Sequence, residues 1–474
     1  MIKKILFVWL VLVFVLWKNN FVVATEDIGI TTDNMIPFYS GGNGKVIEPT
    51  PFYIAEATGL KKMGTLESGL VLTPTTISDI FFTVEVGNIQ YNIPKFAMKS
   101  TNEKPTLELP FDSTGNSSIL TAKRDAQVRS ESGDVVATIE IGNDVTLHSV
   151  EENLGVIQLF GKKMFIDLAD FRHINLVNPK KNISYNEMEY ILQVISLLYP
   201  DFTELMKIGT SVQGRNLYAL KIGKGDLEIL MDASMHGREH MTTNVLLEMM
   251  DEYIKAYDES SKIGEFDVKE LLNKVSIWFV PMMNPDGVTL VQTGLSVLPE
   301  QIIMNYGSVN FNRWKANIHG VDLNRNFDGG WVTKKTVKFP AYKDYKGEGP
   351  FTEPEARALR DFIAQRIIKS YITYHSSGSV IYYYHHQVGE QLKRDLTLAK
   401  KLSKVTGYRI MKPTGDTGSG ASADWFIMTY KLPGITMEIA PHIKESFVPL
   451  KYWDDIWNKN KLVGLVVAEE VLTW

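Results

Sequence analysis

The chain has 474 residues, 44% of them apolar and 22% charged, an ordinary globular composition with enough material for two or three domains and a large core. A net charge of −5 without a long basic block removes electrostatic support for nucleic-acid binding. No cysteine is present, which excludes disulfides.

The first segment reads Met-Ile-Lys-Lys, then an uncharged apolar run from Ile5 to Trp17, then a small residue at Ala24. A basic start, a short apolar core and a small residue near the cut predict a secretory signal over residues 1–24. Apolar residues at 21–24 lengthen the run, so an uncleaved anchor is the other reading. No later segment is long and apolar enough to span a membrane. Residues 25–50 are rich in Gly, Pro, Asn and Thr and are predicted to form a linker.

From 51 to 171 short runs of Val, Ile, Phe and Thr alternate with Gly, Asn and Asp turns, which predicts an all-β region. Residues 58–72 parallel residues 132–147, and each copy ends in an alternating strand, at 89–96 and at 163–170. The pattern resembles two SH3-like barrels in tandem, 51–97 and 118–171. The Pro- and Gly-bearing stretch 98–117 would then be their linker. One irregular β domain and an inhibitory propeptide are the alternatives.

From 182 strands alternate with helices, the texture of an α/β sandwich. Residues 185–199 have helical periodicity. Residues 242–257 place Val245, Leu246, Met249, Met250, Tyr253 and Ile254 on one face, which makes both methionines core filling. Buried strands are predicted at 275–280 and 371–374. Apolar run 227–231 leads into His236-Gly-Arg-Glu239, where an imidazole and a carboxylate three residues apart can face one metal ion. A second run ends in Tyr374-His375-Ser-Ser-Gly378. A third, Ile435-Thr-Met-Glu438-Ile, alternates so that Thr436 and Glu438 share the face opposite its apolar residues. A carboxylate in a core strand is costly to bury without a partner, which favours a functional Glu438.

Further motifs keep a fixed order: 208–215, Asn284-Pro-Asp-Gly287, Gly320-Val-Asp-Leu-Asn-Arg-Asn-Phe327, Gly349-Pro-Phe-Thr-Glu-Pro-Glu355, and Ala423-Asp-Trp425 thirteen residues before Glu438. Together with the His236 and His375 motifs they resemble the zinc carboxypeptidase family over residues 182–474. The resemblance implies an α/β/α sandwich with a mixed central sheet and a metallopeptidase holding one Zn2+. It makes His236, Glu239 and His375 the metal ligands, each at or just after a predicted strand end, where open α/β sheets place their sites. Glu438 matches the catalytic general base, and Asp322 the acid that orients the first histidine ligand. Asn324 and Arg325 match the pair that grips a substrate carboxylate.

Three departures stand out. Arg313-Trp-Lys-Ala-Asn317 puts Lys315 where the family carries its oxyanion-binding arginine, with Arg238 as a second cation. Asp416 falls where the family has a substrate-capping tyrosine. Ala423 falls at the pocket-selecting position and excludes an acidic pocket floor. Residues 313–327 and 374–382 resemble the bacterial γ-D-glutamyl-diaminopimelate endopeptidase subfamily, which implies a peptidoglycan stem-peptide substrate. The expectation is a secreted zinc peptidase, with the β-rich region as a possible cell-wall module. An exo-carboxypeptidase with a small apolar pocket, a deacylase of the same fold and a non-enzymatic wall-binding protein are the alternatives.

Overall fold

The computed structural model describes residues 41–106, 117–294, 298–413 and 418–474, so the predicted signal and most of the predicted linker lie outside the described residues. Among the described residues no helix is long and apolar enough to cross a membrane. The chain divides into Met1–Asn175 and Leu176–Trp474.

Described regular elements of the first part are strands and two single 3-10 turns. Its first eight strands are β1 (Asn43–Val46), β2 (Thr50–Glu56), β3 (Gly59–Leu66), β4 (Val71–Leu72), β5 (Thr76–Ile77), β6 (Phe81–Val86), β7 (Ile89–Pro94) and β8 (Met98–Thr101). Seven follow: β9 (Ser118–Ala122), β10 (Ala126–Arg129), β11 (Val135–Ile139), β12 (Asp144–Glu151), β13 (Leu154–Leu159), β14 (Lys162–Ile166) and β15 (Phe171–His173). One pairing scheme occurs twice. β1 pairs with β4 and β8, as β9 pairs with β12 and β15. β2 pairs with β3 and β7, as β10 pairs with β11 and β14.

These pairings correct the sequence-based boundaries. β1 lies inside the predicted linker 25–50, and β8 lies inside the predicted linker 98–117. Asn43-Gly-Lys-Val46 has turn composition, and only its long-range register with 98–101 makes it a strand. The copies are also joined. Leu66, Thr65 and Gly64 of β3 pair with Ala137, Thr138 and Ile139 of β11, giving a continuous 12-stranded sheet. Gly64 permits this, because a Cβ there would lie 1.8 Å from the Thr138 carbonyl oxygen. Phe160, at the β13–β14 turn, packs on Phe52 and Tyr91 of the first copy, with ring centroids 5.7 and 4.6 Å away.

The second part is built on an eight-stranded mixed sheet. After β16 (Thr203–Thr210), β17 (Asn216–Ile222) and β18 (Leu227–Ala233) come a small hairpin, β19 (Lys262–Ile263) and β20 (Phe266–Asp267). The main sheet continues with β21 (Val275–Val280), β22 (Ile368–Ser376), β23 (Val380–Tyr382), β24 (Arg409–Ile410) and β25 (Gly434–Ile439). Its order is β16-β17-β21-β18-β22-β25-β23-β24, and β21, β18, β22 and β25 run parallel. Every residue of β21 is buried, as expected where helices cover both faces of a parallel sheet.

The predicted helices form as α1 (Tyr185–Leu198) and α2 (Met241–Asp258). The others are α3 (Val268–Leu272), α4 (Pro285–Thr293), α5 (Pro299–Met304), α6 (Pro354–Ala364), α7 (Gly389–Thr406), α8 (Ser422–Tyr430), α9 (Trp453–Asn460) and α10 (Val463–Val471). On one face Leu230, Trp278 and Tyr371 pack with Leu359 and Phe362 of α6 and Phe426 of α8. On the other face Met231 meets Gly464 of α10, and Phe279 meets Tyr253 of α2. The sheet therefore lies between two helical layers, and the C-terminal ends of β18, β22 and β25 open side by side.

Candidate active site

His236 follows β18, Glu239 closes the single 3-10 turn Gly237–Glu239, and His375 stands near the end of β22. A Cβ on Gly237 would come within 2.6 Å of the Gly287 carbonyl oxygen, so glycine lets this turn press against α4. The turn is also pinned to the opposite loop: Gly237 N–H donates to the Lys315 carbonyl and Arg238 N–H to the Trp314 carbonyl, at 3.1 and 2.8 Å.

The three side chains converge and are all buried. His236 Nδ1 lies 2.9 Å from Glu239 Oε1, His375 Nδ1 lies 2.9 Å from Glu239 Oε2, and the two Nδ1 atoms are 3.1 Å apart. Among the described residues this is the one histidine, cysteine and acid group whose donor atoms all fall within 4.8 Å of one another. Two imidazole nitrogens and one carboxylate, dry and convergent, are the donor set that a hydrolytic zinc takes. Ser376 N–H also donates to Glu239 Oε2, at 3.1 Å.

Around this group the other predicted residues take defined places. His236 Nε2 is 3.0 Å from Asp322 Oδ1, and Asp322 Oδ2 accepts from Asp344 N–H at 3.1 Å. Lys315 Nζ is 3.6 Å from Glu239 Oε1. Arg238 donates through Nη1 to the Arg313 carbonyl at 3.2 Å. Arg313 itself is tied to Asn305 and lies over the Tyr342 ring, 4.1 Å from its centroid. Glu438 is the register partner of His375 on the adjacent strand β25. Asn324 Nδ2 is 3.3 Å from His375 Nε2, while its Oδ1 accepts from Ser422 N–H at 3.0 Å. Arg325 donates through Nη1 to the Asn324 carbonyl at 2.8 Å, and its buried Nε has no hydrogen-bond partner among the described residues. Ala423 is 3% exposed on α8. Asp416 lies outside the described residues.

The carboxyls differ sharply in charge state. Burial works against ionised Glu239, but His236 and Lys315 outweigh it and hold the acid well below the usual carboxylate range. Burial likewise opposes ionised Asp322, and His236, Arg325 and Lys315 win. At Glu438 burial prevails, reinforced by the Glu239 charge, and pushes the acid up to about 7 against His375, Lys315 and Arg238. As a residue Glu438 is half-buried rather than sealed from solvent.

Other histidines stay outside the group. His240 is buried against Phe447, and His385 Nδ1 faces Asp424 Oδ2 at 3.3 Å. Sequence reasoning passed over Asp232, Tyr371, Thr373 and Ser422, a buried polar layer directly behind the histidines. An acid four residues before His236, on a strand otherwise apolar at 229–231, was the available signal.

A family model described as zinc carboxypeptidase matches residues 188–461. The chain is 32% identical over 300 residues to gamma-D-glutamyl-L-diamino acid endopeptidase 1 of Lysinibacillus sphaericus, covering 62% of this chain and 73% of that protein. It is 30% identical over 260 residues to carboxypeptidase B of Homo sapiens, covering 51% of this chain and 59% of that protein. A solved structure of bovine thrombin-activatable fibrinolysis inhibitor shares the fold at 22% identity and a TM-score of 0.52, covering 62% of this chain and 99% of that one. With the family model spanning more than half its length and the His236 and His375 motifs meeting at one buried donor set, the chain belongs to the zinc carboxypeptidase family of metallopeptidases, which carry one Zn2+.

Proposed function

We propose that this metallopeptidase cuts peptidoglycan stem peptides between D-Glu and a diamino acid. Hydrolysis itself rests on one observation: Glu438, pushed up to about 7, sits in register with His375 beside the three-donor group. His236 and His375 through Nδ1, with the Glu239 carboxylate, would hold zinc, which when bound acidifies water and polarises a carbonyl. Glu438 takes the proton of the attacking water and returns it to the leaving amine, a double task that suits an acid titrating near neutrality. Lys315 and Arg238 bring positive charge to the same space and steady the developing oxyanion. Arg325, with its buried Nε unpaired among the described residues, grips a substrate carboxylate, and Asn324 stands beside it.

The substrate class is supported by the named endopeptidase relative; Ala423, buried in the apolar core beside Tyr371 and Phe426, adds nothing to it. The free α-carboxylate of γ-linked D-Glu, or a carboxylate of diaminopimelate, would meet Arg325. The reading includes secretion and retention on the cell wall through the β-rich first part. The test is mass spectrometry of purified muropeptides after incubation with the enzyme. Release of L-Ala-D-Glu-type fragments, with much slower turnover of benzoylglycyl-Phe and benzoylglycyl-Arg, is expected. Intact muropeptides beside stepwise loss of C-terminal residues from ordinary peptides would replace this reading with exo-carboxypeptidase action.

A further inference from the structure

The two histidines at the site are anchored unequally. His236 has a carboxylate, Asp322, directly on its Nε2 at 3.0 Å. Among the described residues His375 has on its Nε2 the Asn324 amide nitrogen and the Thr373 hydroxyl, each at 3.3 Å, and no carboxylate. With Nδ1 committed to a metal ion, Nε2 carries the ring proton and needs an acceptor. Asn324 cannot supply one. Its Oδ1 is turned away to accept from Ser422 N–H at 3.0 Å, and turning the amide over would set its NH2 against that N–H. The acceptor is therefore Thr373 Oγ1, whose own hydrogen is then free to go elsewhere.

Directly across the sheet is a buried carboxylate. Thr373 of β22 is the register partner of Asp232 of β18, and both are 0% exposed. Asp232 Oδ2 accepts from Tyr371 Oη at 2.6 Å, while Oδ1 makes no hydrogen bond of its own among the described residues. A buried carboxylate oxygen left unpaired is costly, so Oδ1 calls for a donor. The Thr373 hydroxyl already favours the ionised form of Asp232, as does the Tyr371 hydroxyl, against the burial that pushes this acid up to about 6. Nothing in the sheet demands an acid here; an apolar residue would satisfy a strand buried on both faces.

We propose that Asp232 is a positioning residue for the metal site, holding the His375 imidazole through the Thr373 hydroxyl in the chain His375 Nε2–H to Thr373 Oγ1, and Thr373 O–H to Asp232 Oδ1. Both histidines are then oriented by a carboxylate, Asp322 directly and Asp232 through one hydroxyl. Such partners fix the ring's tautomer and raise the basicity of the nitrogen that faces the ion. The proposal rests on the assignment of His375 as a ligand.

The test compares zinc affinity of the full chain by chelator competition in Thr373→Val, Thr373→Ser, Asp232→Asn and Ser370→Ala. Ser370 lies on the same strand, is buried, and donates its hydroxyl to the Pro433 carbonyl, so its variant reports general loosening of β22. Thr373→Val should bind zinc roughly 10- to 100-fold more weakly, the usual effect of losing such a partner. Thr373→Ser should restore wild-type affinity, and Ser370→Ala should lower the melting temperature without weakening zinc. Asp232→Asn should match Thr373→Val if it folds; Thr373→Val alone decides the question if it does not. Equal zinc affinity in Thr373→Val and wild type, or equal losses in Thr373→Val and Ser370→Ala, overturns the relay. His375→Ala separates the two ideas. If it keeps stoichiometric zinc, the ligand assignment has failed; if it loses zinc while Thr373→Val does not, only the relay has failed.

Discussion

Glu239 and Glu438 flank the same histidine, and the structure drives their acidities apart, Glu239 well down and Glu438 up to about 7. On the proposed mechanism the two carboxyls, with opposed shifts, would divide the work between holding charge and moving protons. Substitutions should show that division. His236→Ala and His375→Ala should each lose stoichiometric zinc and activity while the chain stays folded, as elemental analysis and circular dichroism would report. Glu438→Gln should keep its zinc and lose at least ~10²-fold in kcat, the low end for a missing acid–base group. Loss of metal there would make Glu438 a ligand instead. Lys315→Ala should lower kcat by roughly 10²- to 10³-fold with a smaller change in KM, because an oxyanion donor acts mainly in the transition state. Near-normal turnover would move that role to Arg238; Arg313, committed to Asn305 and Tyr342, is no substitute.

At the level of elements, two helix starts hold the site together. Asn284 caps α4 by accepting from Gly287 N–H at 2.9 Å, and its amide donates to the Ala316 carbonyl at 3.0 Å, next to Lys315. Asn284→Ala removes a cap and leaves the buried Gly287 N–H without its acceptor, so denaturant titration should show a loss of about 1–3 kcal/mol. Turnover should fall as well, through the displaced Lys315 segment. Glu355 in the first turn of α6 accepts from Val212 N–H at 3.1 Å and from Asn317 Nδ2 at 3.2 Å. Burial pushes it up to about 7, and nearby Asp286 adds to the rise. A carboxyl raised on folding contributes most stability below its ordinary value of 4.5 and loses that contribution as pH rises through about 7. The stability difference between Glu355→Gln and wild type should therefore shift toward the variant by on the order of 3 kcal/mol between acid and mildly alkaline pH. A difference that does not change with pH would mean that Glu355 is not held neutral.

For the molecule as a whole, the first part, 1–175, and the second part, 176–474, are separate compact units. Deleting 1–175 should leave a folded peptidase that still cleaves soluble stem peptides but no longer sediments with intact sacculi. Raised activity after deletion would favour the propeptide reading, and unchanged sedimentation would remove the wall-binding role. Gly64→Val should disturb the first part alone, because any side chain there collides with Thr138 across the β3–β11 pair. Protease sensitivity between the two β copies would report it, with peptidase activity unchanged.

Much of the second part was legible in the residues themselves. Period 3.6 marked α2, apolar runs marked β21 and β22, and apolar alternation marked β25, because parallel strands and their covering helices are buried by composition. The donor motifs at His236, Glu239 and His375 were legible for a chemical reason: few residue types can hold zinc, and their spacing is set by strand ends. What the sequence left open has one cause, pairing between residues far apart. β1 has turn composition and becomes a strand only through β8. The repeated β pattern leaves unstated that the copies fuse along β3 and β11. Asp232 reads as one acid in an apolar strand until the parallel register of β18 and β22 sets it opposite Thr373. Glu438 was marked by its cost of burial, which is the main cause of its raised pKa, but the further push from Glu239, about two hundred residues earlier, exists only once folding brings the two close. Composition and local period determine which segments bury themselves; which carboxylate meets which imidazole depends on register across the sheet, a property of the folded whole.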